Sequence, residues 1–106
     1  MNKDCIFCSI AAGSLGTEFV YEDDLCVAFR DINPKAKTHV LIVPKDHIDS
    51  VFELEAGTRT LTGHLVYVSK LVAEKLDLKG FQLQINVGEE GGQEIFHLHL
   101  HLLSKF

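Results

Sequence analysis

Three histidines stand two residues apart near the end of the chain, at His97, His99 and His101. A neutral imidazole has a free lone pair near neutral pH and can attack phosphorus, which gives a phospho- or nucleotidyl-histidine that water then cleaves. Such a nucleophile needs an acceptor on its other ring nitrogen, and the leaving atom needs a neighbouring proton carrier. Three imidazoles in a row can supply these roles. A merely polar strand face is the less favoured interpretation, because Lys, Thr or Glu would serve there equally well.

The residues between these histidines are apolar, so residues 95–103 alternate with a period of two. That period predicts a half-buried strand with all three imidazoles on one face and the apolar side chains on the other. A glycine-rich stretch, residues 88–93, comes just before it. Glycines let the backbone approach an anion closely and present free N–H groups to it. The two features together predict a phosphate site beside a histidine nucleophile.

The elements that must position this segment can be predicted from hydrophobic periodicity. Strands are expected over residues 20–22, 25–31, 38–44 and 81–87, and one or two helical turns over residues 50–55. A long helix is expected over residues 58–76. Its core-facing stripe consists of Leu61, Leu65, Val68, Val72 and Leu76. A second stripe of Gly63, Val66, Lys70 and Ala73 faces either solvent or a second subunit. Strands on both sides of one long helix predict an α+β fold on an antiparallel sheet.

Length and charge restrict the classes of function. The 106 residues are predicted to form a single domain, residues 1–106, and 46% of them are hydrophobic, enough for a core. The formal net charge of −5 and the lack of a Lys/Arg run argue against nucleic acid or a membrane surface as partner. There is no apolar run long enough to span a membrane, and three cysteines fit a reducing compartment. A soluble, cytoplasmic protein is therefore expected.

Two cysteines near the N-terminus, Cys5 and Cys8, have the Cys-x-x-Cys spacing. The pair is compatible with a redox motif, half of a zinc site, or two small apolar residues. A thioredoxin-type motif would require a βαβ context, which the predicted elements do not provide. Zinc needs two further ligands, and His47 and His97 are available without using His99. The spacing matches no short zinc-finger pattern, so spacing alone leaves these alternatives open.

These motifs together resemble the histidine triad (HIT) superfamily of nucleotide hydrolases and transferases, and are most similar to its HINT branch, the nucleoside phosphoramidases. The resemblance extends over nearly the whole chain. It is carried by the cysteine pair, by residues 22–24, 29–32 and 38–45, by Asn86, and by residues 91–93 and 97–103. It implies a HIT-like fold: an antiparallel five-stranded sheet with one long and one short helix, the sheet being extended across a homodimer.

The resemblance also implies roles for individual residues. His99 would be the nucleophile on the α-phosphorus of a purine nucleotide, His101 would contact the phosphate and the departing group, and His39 would orient the triad. Asp31 would accept hydrogen bonds from the ribose hydroxyls. The remaining nucleotide contacts would come from Phe29 and Ile32 around the base, and from Asn86, Gly92, Gln93 and Glu94 around the phosphate.

Members of the family that carry the cysteine pair bind zinc through it and two histidines, which implies a structural zinc held by Cys5, Cys8, His47 and His97. No catalytic cofactor is implied. The HINT pattern has a serine where this chain has Glu94, and a carboxylate there repels an ionised leaving phosphate.

The expected activity is therefore hydrolysis of nucleoside 5′-phosphoramidates or acyl-adenylates to the nucleoside monophosphate. The alternatives are a dinucleoside polyphosphate hydrolase and a nucleotide-binding or scaffold protein without catalysis.

Overall fold

Five strands form one antiparallel sheet in the order β1-β2-β3-β5-β4 in the computed structural model, which describes residues 4–106. The strands are β1 (Tyr21–Glu22), β2 (Cys26–Arg30), β3 (Thr38–Pro44), β4 (Gln82–Gln84) and β5 (Leu100–Ser104). The α-helices are α1 (Ile6–Ala11) and α2 (Arg59–Lys75), and short 3₁₀ turns lie at Val51–Glu53, Ala56–Thr58 and Glu89–Gly91. The predicted α+β class and the five-stranded antiparallel sheet are thus confirmed.

β3 is the central strand, and its alternating side chains divide the interior into two cores. Val40 and Ile42 pack with β5 and α2 on one face of the sheet. Leu41 and Val43 pack with α1 on the other face. Because side chains on a strand alternate between faces, one seven-residue strand contributes to both cores. The three imidazoles lie on the face of the sheet covered by α1, and α2 packs against the opposite face.

α2 closely matches the helix predicted over residues 58–76. Leu65, Val68 and Val72 are fully buried against the sheet, while Leu61 and Leu76 border the same core. The helix ends where Asp77 adopts a positive φ of 55° and the N–H of Leu78 donates to the carbonyl of Ala73 at 2.9 Å. Ala73, predicted on the second stripe, is buried within the chain itself, whereas Gly63, Val66 and Lys70 are exposed.

β1 and β2 are shorter than predicted by one or two residues, and the last two strands are shorter by more. The segment predicted over residues 95–103 becomes a paired strand only at Leu100, so His97 and His99 precede β5. The cause is that the N–H of Leu98 donates to the carbonyl of Ile48 at 2.6 Å instead of to β3. The strand predicted over residues 81–87 pairs only over Gln82–Gln84. Beyond it, Asn86 turns its side-chain amide onto the carbonyl of Gly91, which closes the glycine-rich turn.

The faces of the histidine segment nevertheless follow the predicted alternation. Leu98, Leu100 and Leu102 lie in the core under α2, and the three imidazoles lie on the opposite side.

The helical turn expected over residues 50–55 is a 3₁₀ turn at Val51–Glu53. The periodicity predicts no element for the short α-helix, which is α1 and contains Cys8. Within residues 4–106 no helix is long and apolar enough to cross a membrane.

Candidate active site

A cavity of about 470 Å³ opens on the face of the sheet covered by α1. Its walls come from α1, from the end of β2 and the loop after it, from the glycine-rich turn and from the histidine segment. The residues that line it include Ile6, Phe7, Ile10, Phe29, Asp31, Ile32, Lys35, Asn86, Gly92, Gln93, Glu94, His99 and His101. The cavity therefore brings together all nine residues expected to bind a nucleotide.

His99 lines this cavity from a nearly buried position and has a defined tautomer. Its Nδ1 lies 2.7 Å from the carbonyl oxygen of His97. A carbonyl only accepts hydrogen bonds, so Nδ1 must carry the proton and Nε2 keeps its lone pair. Burial lowers the pKa of His99 below its usual value of 6.5. A neutral ring with one available nitrogen is the state that a nucleophile requires.

His101 and His39 form a second hydrogen-bonded unit with a fixed direction. The backbone N–H of Lys35 donates to Nδ1 of His39 at 3.1 Å, so the proton of His39 must be on Nε2. That Nε2–H donates to Nδ1 of His101 at 2.9 Å, which places the proton of His101 on its own Nε2. Burial and the neighbouring imidazoles of His99 and His39 lower the pKa of His101 to about 4. His101 is thus a neutral donor beside His99, with ring centroids 4.9 Å apart.

Asp31 stands at the end of β2 beside this unit. Its Oδ2 lies 3.5 Å from Nε2 of His39, and its Oδ1 accepts the N–H of Asn33 at 2.8 Å. The carboxylate opposes the effect of burial on the pKa of His39, which is nevertheless lowered. Asp31 is partly exposed at the cavity wall, so its oxygens can accept hydrogen bonds from a ligand.

Four potential metal donors lie together on the inner side of α1. Nδ1 of His97 is 3.2 Å from Sγ of Cys5 and 3.5 Å from Sγ of Cys8, and Nδ1 of His47 is 3.1 Å from Sγ of Cys8. All four donor atoms lie within 4.8 Å of one another. Zinc bonds of about 2.3 Å to sulfur and 2.0 Å to nitrogen place the donors of a tetrahedral site roughly 3.5 Å apart.

The Nε2 atoms of His97 and His47 already make hydrogen bonds within the protein. Nε2 of His97 donates to the carbonyl of Pro44 at 2.8 Å, and Nε2 of His47 donates to Oδ1 of Asp49 at 2.6 Å. Both acceptors force the proton onto Nε2 and leave Nδ1 free to ligate, as in histidine metal sites with an outer hydrogen-bond partner. The Cys₂His₂ donor set and its geometry therefore fit zinc.

The comparison with known proteins agrees with this arrangement. The family model described as HIT domain matches residues 13–106. The chain belongs to the HIT domain family. Over 105 residues it is 38% identical to the purine nucleoside phosphoramidase of Escherichia coli, covering 97% of this chain and 88% of that protein.

Two solved structures share the fold of this HIT domain. A histidine triad protein from Clostridium difficile superposes with a TM-score of 0.96 at 40% identity, covering 100% of this chain and 94% of that one. A HIT family hydrolase from Legionella pneumophila superposes with a TM-score of 0.92 at 41% identity, covering 95% and 92% of the two chains.

The glycine-rich turn of this HIT domain differs from the expected cradle of free N–H groups. The N–H groups of Gly91, Gly92 and Gln93 donate to carbonyls within the turn, and that of Gly88 donates to Oε1 of Gln93. For these four N–H groups the expectation of an anion contact is wrong, because the turn and the Gln93 side chain use them. Gly92 does require its glycine, with a φ of 80°.

Gln93 lines the cavity, but its side-chain amide points into the protein. Its Nε2 donates to the carbonyls of Asp49 at 2.7 Å and Ile95 at 3.1 Å. With Oε1 on the N–H of Gly88, the side chain joins the glycine-rich turn to the loop after β3. Its amide thus shapes the turn. Of the two residues expected around a base, Phe29 is buried and Ile32 is 91% exposed.

Sequence reasoning missed the cavity wall formed by α1. Ile6, Phe7 and Ile10 belong to a short helix whose neighbours in space are far along the chain. It also missed the pairing of His64 on α2 with Asp23, 2.6 Å apart, which ties the helix to the β1–β2 turn. In the sequence, the sign of this wall is the pair of apolar residues, Ile6 and Phe7, between Cys5 and Cys8.

Proposed function

We propose that the chain is a purine nucleotide hydrolase that cleaves nucleoside 5′-phosphoramidates or acyl-adenylates through a nucleotidyl-His99 intermediate. The observation that carries the proposal is the hydrogen bond of 2.7 Å from Nδ1–H of His99 to the carbonyl of His97. It leaves a neutral Nε2 at a cavity large enough for a nucleotide. The E. coli relative is named a purine nucleoside phosphoramidase, which supports the same class of substrate.

The reaction would proceed in two displacements. Nε2 of His99 attacks the α-phosphorus, and the bond from phosphorus to the leaving group breaks. This is the N–P bond of a phosphoramidate, whose departing amine takes a proton from water, or the O–P bond of an acyl-adenylate, whose carboxylate leaves as the anion. The resulting nucleotidyl-imidazolium keeps its Nδ1–H on the carbonyl of His97, which stabilises its positive charge. Water then attacks phosphorus, the His99–phosphorus bond breaks, and one proton passes to solvent. The nucleoside monophosphate leaves and His99 is neutral again.

The other cavity residues support this assignment of roles. His101 would donate its Nε2–H to a phosphate oxygen, with His39 behind it fixing the direction of that proton. Asp31 would bind the ribose hydroxyls. The apolar walls formed by Phe29, Ile32 and α1 suit a planar purine, and Asn86, Gly92, Gln93 and Glu94 would border the phosphate.

Charge near the turn favours an amine over a polyphosphate as leaving group. Glu89, Glu90 and Glu94 all lie on or beside the glycine-rich turn, and Glu94 lines the cavity. Carboxylates repel a highly charged leaving group and tolerate a neutral or cationic one. This argues against the alternative of a dinucleoside polyphosphate hydrolase.

Steady-state kinetics on adenosine phosphoramidate and diadenosine tetraphosphate test the assignment. The wild type should show the larger kcat/KM on the phosphoramidate, and His99→Ala should lose turnover while retaining its thermal unfolding transition. A larger kcat/KM on the tetraphosphate would make the chain a polyphosphate hydrolase. Nucleotide binding without turnover of either compound would make it a binding protein.

The four donors of the metal cluster, Cys5, Cys8, His47 and His97, would hold a structural zinc. When bound, zinc would cross-link α1 to the loops after β3 and before β5. The reaction needs no metal at phosphorus, since imidazoles and water supply its proton and electron-pair transfers.

We also infer a homodimer joined through β4 and working in the cytoplasm. β4 is an edge strand, and Phe81, Leu83 and Ile85 remain 37–39% exposed on or beside it. An open edge with apolar side chains is a template for pairing with a second copy. Sedimentation equilibrium should give twice the chain mass for the wild type and a monomer for Leu83→Lys.

A further inference from the structure

α1 combines two kinds of side chain on six residues. Cys5, its N-cap, and Cys8 belong to the metal cluster, whereas Ile6, Phe7 and Ile10 line the cavity. A helix of this length is not stable by itself, because the cost of nucleation is recovered only over many more residues. The position of this cavity wall must therefore be fixed by what anchors the helix.

Phe7 carries the contact from α1 to the nucleophile. Its ring is 5% exposed and lies edge-on to the ring of His99, with centroids 4.9 Å apart and an interplanar angle of 87°. It makes similar edge contacts with His97 at 6.0 Å and with Phe29 at 5.8 Å. Edge-to-face contacts of this kind favour one ring orientation over others. Phe7 therefore restricts how the His99 ring can turn about its own bonds.

His97 makes the second contact between the metal cluster and His99. Its ring faces the sulfurs of Cys5 and Cys8, while its backbone carbonyl accepts the Nδ1–H of His99. One residue is thus both a member of the metal cluster and the acceptor that selects the His99 tautomer. The nucleophile is thus supported by the Phe7 ring and by the His97 carbonyl. Phe7 lies on α1 and His97 lies just before β5, and a metal bound by the four donors would link these two segments.

We propose that Phe7 is a positioning residue for His99, and that a thiophilic divalent cation in the Cys5/Cys8/His47/His97 cluster fixes Phe7 and the His97 carbonyl together. The inference rests on the proposed function, because it assumes that His99 is the nucleophile. The cation does not contact the substrate. It acts by holding α1 and the turn before β5 in register, so that His99 keeps one tautomer and one ring plane.

Variants of α1 test the first half of the proposal. Phe7→Leu keeps an apolar side chain but removes the edge-on ring contact, so single-turnover formation of the nucleotidyl adduct should slow by about two- to tenfold. Nitrogen-15 NMR of the His99 ring should show mixing of its two tautomers. Phe19→Leu is the matched control, because it makes the same change in the same core at a ring that is not among the described residues lining the cavity. It should leave the adduct rate and the His99 nitrogen shifts unchanged.

Zinc removal tests the second half. The full chain is compared zinc-loaded and after chelation, with zinc content by elemental analysis, AMP affinity by calorimetry, and the His99 shifts as readouts. Removal of zinc should weaken AMP binding by about two- to tenfold and broaden or shift the His99 ring signals, and zinc should reverse both changes. Cys5→Ser should behave like the chelated protein. Cys26→Ser, which removes the buried cysteine on the other face of the sheet, should keep one zinc and the wild-type AMP affinity.

The outcomes separate this inference from the proposed function. A wild type that never hydrolyses the phosphoramidate overturns the proposed function and the nucleophile on which the inference depends. A wild type that hydrolyses it at the same rate as Phe7→Leu, with identical His99 shifts, overturns the positioning role alone. Chelated protein that stays folded by circular dichroism with unchanged His99 shifts and AMP affinity overturns the role of the cation. If chelation unfolds the chain, the folded His47→Ala protein, which lacks one of the four donors, decides: unchanged His99 shifts and AMP affinity in that variant also overturn the role of the cation.

Discussion

Replacing His39 with leucine should slow the reaction without preventing nucleotide binding. His39 is buried behind His101 and is not among the described residues that line the cavity. Its Nε2–H, 2.9 Å from Nδ1 of His101, is what holds the proton of His101 on the nitrogen proposed to face the phosphate. Leucine fills a similar volume but donates nothing, so His101 can carry its proton on either nitrogen.

The size of the effect follows from the hydrogen bond that is lost. A polar atom left without its partner in a largely buried setting costs about 1–3 kcal/mol. If that free energy acts in the transition state, kcat falls by about 5- to 150-fold, while KM changes little because no cavity contact is removed. His39→Gln is the matched control, since its side-chain amide can still donate to His101 and should recover most of the rate.

Rapid-quench single-turnover kinetics on adenosine phosphoramidate measure the chemical step directly, and thermal unfolding confirms that each variant is folded. Wild-type kcat in a folded His39→Leu protein would refute the argument that His39 fixes the His101 tautomer. Equal losses in His39→Leu and His39→Gln would show that bulk or aromaticity matters at this position, instead of the donated hydrogen bond.

Three further predictions follow from individual groups. Because the pKa of His101 is about 4 in the folded chain and near 6.5 when unfolded, the unfolded state binds the proton first. The contribution of His101 to the free energy of unfolding should therefore fall by roughly 2.5 kcal/mol from pH 6.5 to pH 4, and urea titrations of His101→Asn should show a shallower pH dependence. Glu94→Gln removes a negative charge from the cavity wall, so the kcat/KM ratio of diadenosine tetraphosphate to phosphoramidate should rise roughly threefold in parallel assays. Gly92→Ala places a Cβ at a φ of 80°, 3.5 Å from Nδ2 of Asn86, and should cost about 1 kcal/mol of stability by denaturant titration and raise the Kd for AMP.

The parts of the fold that sequence predicts well are those set by local periodicity. β3 begins and ends at the predicted residues because an apolar run stops at Pro44, which cannot donate to a neighbouring strand. α2 was predicted from a stripe at helical spacing that does pack against the sheet. The alternation of the histidine segment correctly assigned its leucines to one core and its imidazoles to the other face.

The parts that sequence did not predict depend on partners far along the chain. α1 is held by contacts between its cysteines and His97, about ninety residues away, and no local pattern encodes them. The late start of β5, at Leu100, depends on the hydrogen bond from the N–H of Leu98 to the carbonyl of Ile48. Gln93 was assigned to the phosphate by resemblance, whereas its amide is used by three backbone groups of the protein. Composition and spacing contain no information on where such an amide points.

Mass spectrometry of the intact chain after brief mixing with adenosine phosphoramidate tests covalent catalysis most directly. A nucleotidyl-His99 intermediate should appear as a mass increase of one AMP moiety on the wild type, located on the peptide containing His99 and lost when that residue is replaced by alanine. An adduct on His97 or His101, or rapid turnover in the His99→Ala protein, would contradict it.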